Sequence, residues 1–178
     1  MTSAKLHNAL QVMRRFSSPH ALIASGFYSG LSPFASGTTG SLGALACWFY
    51  LRSLSLMPSL TTQCIVVLIV TAIGTYSTAR FLASDLNRSI TSRKPGDPGV
   101  VVIDEWAGMM LTLISTDPPS LTYYAAGFFL FRLFDVLKPG PVDWLQRLPG
   151  AWGVMLDDIG AGALALLVLS ALSHFVPL

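Results

Sequence analysis

Apolar residues in this chain gather into long unbroken runs and do not alternate with polar ones. Five runs stand out: residues 40–57, after a Gly- and Ser-rich approach; 61–83, strongest over 64–73; 100–115; 121–137; and 152–176. A helix that crosses a bilayer needs about 20 apolar residues, with a range of about 17–25. The second and fifth runs meet that length. The first, third and fourth are short or interrupted by charge, which leaves a tilted or re-entrant course open to each. Only helices and closed barrels satisfy their backbone within lipid, and barrel strands alternate. The pattern predicts an all-α fold: a polytopic membrane helical bundle of about four to five transmembrane or re-entrant helices joined by short loops. It predicts a single domain over residues 1–178, with no internal repeat and no low-complexity tract.

Composition agrees. Hydrophobic residues make up 52% of the 178, charged residues 11%, and the mean hydropathy is +0.60. Soluble domains carry about 25% charged residues, so lipid must cover much of this surface. A net charge of +2, without an RNA- or DNA-binding motif, predicts no nucleic-acid partner. Cys47 and Cys64 lie inside apolar runs with no metal-ligand spacing, and read as small packing residues. The N-terminus lacks the pattern of a cleaved signal peptide.

Basic residues orient the bundle. Lys5, Arg14 and Arg15 precede the first run; Arg80, Arg88, Arg93 and Lys94 flank the loop after the second; Arg132, Lys138 and Arg147 flank the loop after the fourth. Of the 11 Lys and Arg residues, only Arg52 falls on the other side. The expected topology has the N-terminus inside, five crossings, and cytoplasmic loops at 92–99 and 139–150. Trp48, Phe49, Tyr50, Phe128 and Phe129 are expected to face lipid. Trp106, Trp144 and Trp152 are expected at the inner interface, and the loop arginines and lysines serve orientation.

The acids give this topology chemical content. Of nine, only Asp117, in an Asp-Pro-Pro turn, falls outside. Asp85, Asp97, Asp104, Glu105, Asp135, Asp143, Asp157 and Asp158 all fall on the inner side. A carboxylate at membrane depth is costly and needs a partner. Three segments bring Asp104 with Glu105, Asp135, and Asp157 with Asp158 to one depth, where mutual repulsion disfavours ionisation. A hard divalent cation such as Mg²⁺ resolves that conflict and leaves positions for water or phosphate. Ion pairs are the competing explanation. Arg132 and Lys138, each three residues from Asp135, suit that acid, but Asp157 and Asp158 have only apolar or Gly neighbours in sequence. Gly108, four after Asp104, and Gly162, four after Asp158, allow close helix approach.

Residues 26–43, crowded with Gly, Ser and Thr, precede the first run. Free N–H groups at a helix start form an anion site, and Thr38, Thr39 or Ser41 are candidate N-caps. The Lys of a nucleotide P-loop is missing. An anion cradle, cation-binding acids and two basic residues are the parts that phosphoryl transfer requires.

In three blocks these residues resemble the phosphatidylglycerophosphatase A family. The first is Gly30-Leu31-Ser32-Pro33 with Gly37-Thr38-Thr39-Gly40-Ser41. The second is Asp97 with Val102-Ile103-Asp104-Glu105 and Gly108-Met109. The third is Phe131-Arg132-Leu133-Phe134-Asp135 with Lys138-Pro139, then Gly153 to Asp158 and Ala161-Gly162. Together they span about residues 25–162 in the family's order. Trp106 and Ala107 depart from the residues common after the Asp-Glu pair, which touches packing more than chemistry. The resemblance implies a Mg²⁺-dependent phosphatase that removes the terminal phosphate of phosphatidylglycerophosphate at the inner leaflet of a bacterial inner membrane, yielding phosphatidylglycerol.

On that basis Asp104, Glu105, Asp157 and Asp158 are expected to hold one or two Mg²⁺, with Asp97 a further candidate ligand. Asp135 is either another ligand or the base that activates water. Arg132 and Lys138 are expected to bind the phosphate, and Gly37, Thr38, Thr39, Gly40 and Ser41 to donate to its oxygens. A covalent route through Thr38 or an aspartate is the alternative to attack by water. Aspartyl-phosphate, Cys-phosphatase and His-nucleophile motifs are all absent from the sequence. Two rivals are a cation- or proton-coupled transporter using the same acids and a membrane scaffold. Vesicle transport and chelation separate these from an enzyme.

Overall fold

Each of the five apolar runs contains a helix, and two short helices supplement them. The computed structural model describes residues 18–33, 35–57, 59–84, 99–115 and 120–176, and among these there are seven α-helices and no strand. They are α1 (Pro19–Ala24), α2 (Ser36–Ser53), α3 (Leu60–Leu82), α4 (Ile103–Thr112), α5 (Leu121–Leu137), α6 (Pro141–Gln146) and α7 (Ala151–Phe175), with a 3-10 turn at Ser29–Leu31.

Serines start three of the helices: Ser18, Ser59 and Ser120 each accept a bond from an N–H of the first turn, at 3.1–3.2 Å. Such caps satisfy donors that the helix itself cannot. α2 and α7 start differently, after Ala35 at φ 42° and Gly150 at φ 62°, with no side-chain cap. Both of these starts border the cavity described below.

α3 and α7, with 23 and 25 residues, are long and apolar enough to cross a membrane. Their outward faces, and that of α5, are apolar: Ile65, Leu68 and Ile69 on α3, Phe129 and Val136 on α5, and Leu167 on α7 are exposed. Water is a poor solvent for so large a patch, and the chain is a helical membrane protein. Cys64 is exposed on α3 and does not pack internally, while Cys47 is half-buried. Phe49, Tyr50 and Phe129 are exposed as expected and Phe128 is half-buried, but Trp48 is not a lipid-facing residue. It is wholly buried with Met57, Met109, Leu113, Phe131 and Leu169, because it lies on the face of α2 turned toward α4.

The third run proves to be an interior element. α4 has 10 residues, of which Ile103, Asp104, Ala107, Gly108, Met109, Met110 and Thr112 are buried. At 1.5 Å per residue it is about 15 Å long, half a bilayer core. It packs against α2, α3, α5 and α7, and the buried residues Val101 and Val102 lead into it. At its far end the buried Gln63 amide clasps Ser115: Nε2 donates to the Ser115 carbonyl and Oε1 accepts from the Ser115 N–H, both at 3.0 Å.

α4 and α7 approach closely enough for backbone to meet backbone, at the two glycines seen in the sequence. A Cβ on Gly108 would stand 2.5 Å from the Asp158 carbonyl oxygen, and one on Gly162 would meet the Gly108 backbone. Thr112 Oγ1 lies 3.0 Å from the Gly108 carbonyl and 3.3 Å from that of Gly162, and donates across the crossing. This crossing sets where Asp104 and Asp158 stand relative to each other.

Candidate active site

Four helix segments converge at one end of the bundle: the first turn of α2, the first turn of α4, the last turn of α5 and the second turn of α7. The acids sit below the rim. Ile103 packs on Gly74, eight residues before the end of α3 at Leu82, and Asp158 is seven residues past the start of α7. Both offsets correspond to about 10–12 Å along a helix. A cavity of about 620 Å³ opens over them, walled by Ser36, Gly99 and Val101 on one side and by Gln146, Leu148, Gly150 and Gly153 on the other.

On the cavity floor, oxygens of Asp104, Glu105 and Asp158 lie within 4.8 Å of one another. Asp104 Oδ1 accepts from the Glu105 N–H at 3.0 Å. Beside them, Arg132 Nη1 is 2.5 Å from Asp135 Oδ2 and 3.4 Å from Ser41 Oγ. Lys138 Nζ donates to Asp157 Oδ2 and stands 3.8 Å from Asp135 Oδ1. Burial works to lower the Lys138 pKa, but Asp157, Asp158 and Asp135 outweigh it and hold the ammonium above its ordinary value. Gly37 lets this group close up: a Cβ there would collide with Glu105 Oε1 and lie 3.3 Å from Arg132 Nη1.

Five carboxylates thus face two cations, a formal excess of three negative charges in a recess. Glu105 Oε2, within the Asp104–Glu105–Asp158 triad, is buried without a hydrogen-bond partner among the described residues, and so, outside the triad, is Asp157 Oδ1. Unpaired buried carboxylate oxygens are costly, and hard divalent cations favour all-oxygen donor sets of this kind. The donors present therefore fit a Mg²⁺-type ion held by Asp104, Glu105 and Asp158.

The family profile described as Phosphatidylglycerophosphatase A matches residues 22–173. The chain belongs to the phosphatidylglycerophosphatase A family. It is 37% identical to the phosphatidylglycerophosphatase A of Escherichia coli, over 92% of this chain and 89% of that one. A provisionally named phosphatidylinositol-3-phosphatase of Bacteroides thetaiotaomicron is 35% identical, over 89% and 96%. The phosphatidylglycerophosphatase A of Haemophilus influenzae is 33% identical, over 89% and 91%. No solved structure matches the chain. Membership of the phosphatidylglycerophosphatase A family makes the chain a phosphatase, and its curated relatives are bacterial.

In this phosphatidylglycerophosphatase A family member, the fold brings together Asp104, Glu105, Asp135, Asp157, Asp158, Arg132, Lys138 and Gly37. Asp97 lies outside the described residues, as do Asp85, Arg88, Arg93 and Lys94. The hydroxyl-rich segment differs from its reading as a loop leading into the first run. The helix has already begun at Ser36, and its N-cap is Ala35, not Thr38, Thr39 or Ser41. Thr39 N and Oγ1 both bond the Ala35 carbonyl, and Ser41 Oγ donates to the Gly37 carbonyl at 2.8 Å. A hydroxyl that finds the carbonyl four residues back is satisfied inside a helix. Gly40 is a packing residue against Val102, and Ser41, wholly buried, sits under Arg132. The N–H groups of Ser36, Gly37 and Thr38 precede the bond from Thr39 to Ala35 and have no partner among the described residues.

Asp157 also departs from the reading based on its sequence neighbours, since Lys138 reaches it from across the fold. The sequence reading missed the cavity walls: Ser36, Gly99, Gln146, Leu148 and Gly150. The Pro- and Gly-rich composition of the flanking loops was the one available signal for them.

Proposed function

We propose that this phosphatase hydrolyses the terminal phosphate of phosphatidylglycerophosphate in a Mg²⁺-dependent reaction at the cytoplasmic face of a multi-pass bacterial membrane protein. The observation that carries this reading is the Asp104–Glu105–Asp158 triad, opposed by Arg132 and Lys138, in a recess at one end of a lipid-facing bundle. Two bacterial relatives are named for that substrate. The distribution of Lys and Arg along the chain supports an inside position for this end of the bundle.

Asp104, Glu105 and Asp158 would hold the ion, which when bound neutralises phosphate charge and acidifies water. Arg132 and Lys138 offer charged donors to the phosphate oxygens, with the guanidinium suited to a two-pronged contact. Both oxygens of Asp135 face these two cations, so it serves to hold them in place. Ser36, at the cavity wall, and Gly37 bring the open end of α2 to the same place, where backbone donors favour an anion. The recess keeps bulk water from diluting these charges.

Phosphate release from phosphatidylglycerophosphate by the purified protein in detergent tests the reading. Release with Mg²⁺ that stops under excess chelator supports it. Release indifferent to chelation would remove the metal from it. The Bacteroides relative favours a second reading, in which the phosphomonoester sits on an inositol lipid. Release from phosphatidylinositol 3-phosphate alone would establish that one.

A further inference from the structure

Asp157 and Asp158 are adjacent, and the sequence gives no ground for treating them differently. The fold separates them. Successive residues of an α-helix point about 100° apart. Asp158 turns toward α4, where its carboxylate joins Asp104 and Glu105 within 4.8 Å. No oxygen of Asp157 belongs to that group. Asp157 turns toward the end of α5, where Oδ2 accepts from Lys138 Nζ.

We infer that Asp157 is a positioning residue for Lys138, while Asp158 alone of the pair is a ligand of the divalent cation. This assignment rests on the reading that a cation occupies the triad.

Three observations carry it. Lys138 ends α5 in the left-handed region, φ 43° and ψ 61°, which only a few per cent of non-Gly residues adopt. The backbone there directs the start of a long side chain, but four flexible bonds still separate it from the ammonium. Asp157, 4% exposed, comes from a rigid transmembrane helix and fixes the far end. Without it the nearest anchor for Nζ among the described residues is Asp135 at 3.8 Å. Finally, Lys138 lines the cavity beside Asp104 and Asp158, within reach of a phosphate that also touches the ion. A bridge of purely structural use would sit away from the cavity, whereas both partners of this one line it.

The test uses the full chain in detergent with Mn²⁺ as a spectroscopic probe for the ion. Mn²⁺ binding is read by electron paramagnetic resonance without substrate, and phosphate release is measured separately. Asp158→Asn is expected to lose Mn²⁺ binding. Asp157→Asn and Lys138→Met are expected to keep it within about threefold, yet lose roughly 10–100-fold in kcat/KM, the usual cost of removing a group that orients another. The double substitution is expected to cost no more than either single one, because the pair acts as a unit. Loss of Mn²⁺ binding in Asp157→Asn equal to that in Asp158→Asn would overturn the assignment and leave the metal reading standing. So would fully additive losses in the double variant. No Mn²⁺ binding by the unaltered protein would instead remove the metal reading and this inference with it. If Asp157→Asn fails to fold, Lys138→Met carries the test: weaker inhibition by inorganic phosphate at unchanged Mn²⁺ affinity supports it, and unchanged inhibition overturns it.

Discussion

Arg132 touches two neighbours at once, Asp135 Oδ2 at 2.5 Å and Ser41 Oγ at 3.4 Å. A planar fork can do this and still present other N–H groups, whereas a lysine ammonium is a single point charge. Arg132→Lys is therefore expected to lower kcat/KM by about tenfold, equivalent to about 1.4 kcal/mol, in steady-state phosphate release. An unchanged value would mean the guanidinium does not contact the phosphate. Asp104→Asn would remove one of the three proposed ligands of the ion. It is expected to exceed the roughly 10–100-fold loss typical of residues behind the ligands, again measured as Mg²⁺-dependent release. At this scale the acids were legible in the sequence, because carboxylates are so rare in an apolar chain that each one needs an explanation. Their partners were less so. Lys138 stands 19 residues from Asp157, and Ser41 91 residues from Arg132, distances over which local spacing carries no information.

Among the elements, α4 and α7 depend on the absence of two side chains. A Cβ on Gly162 would run into the Gly108 backbone, which cannot yield as a flexible side chain would. Gly162→Ala is expected to force the helices apart and cost about 1–3 kcal/mol, the range for overpacking. A lowered melting temperature in detergent checks the cost. A raised Mg²⁺ concentration for half-maximal activity would show that Asp158 has moved away from Asp104. Gln63→Leu conserves bulk but removes both bonds to Ser115, and is expected to cost about 1–3 kcal/mol in the same melting assay. Because Gln63 is far from the acids, it should leave the Mg²⁺ requirement unchanged. The glycine spacing was legible because the four-residue offsets place Gly108 and Gly162 on the acid-bearing faces. The course of α4 was not: periodicity shows a helix but not whether its surroundings are lipid or protein, and for the same reason Trp48 was read as facing outward. α6, at six residues, is too short to leave a periodic signal.

Across the whole molecule, the acidic recess is where the described residues gather acids from three helices and where one bound ion would tie those helices together. Its carboxylates come from α4, α5 and α7, and if all were ionised together their repulsion would push those helices apart at one end. The cost is moderated by Arg132 and Lys138 but not cancelled by them. A divalent cation shared by Asp104, Glu105 and Asp158 would convert repulsion between α4 and α7 into attraction, just beside their glycine crossing. Stability should then follow ion concentration through mass action, gaining about 2.7 kcal/mol when the ion is at a hundred times its Kd. The expected result is a melting temperature in detergent that rises with Mg²⁺ and falls back with chelator. Asp158→Asn should behave otherwise: with one negative charge removed and the triad broken, its ion-free form should melt no lower than that of the unaltered protein, while the rise on adding Mg²⁺ should vanish. Were the substrate-free protein to melt at the same temperature with and without Mg²⁺ at concentrations that support hydrolysis, the ion would be arriving with the substrate phosphate and not as a resident of the helices. The acids would then have to share protons among themselves between turnovers.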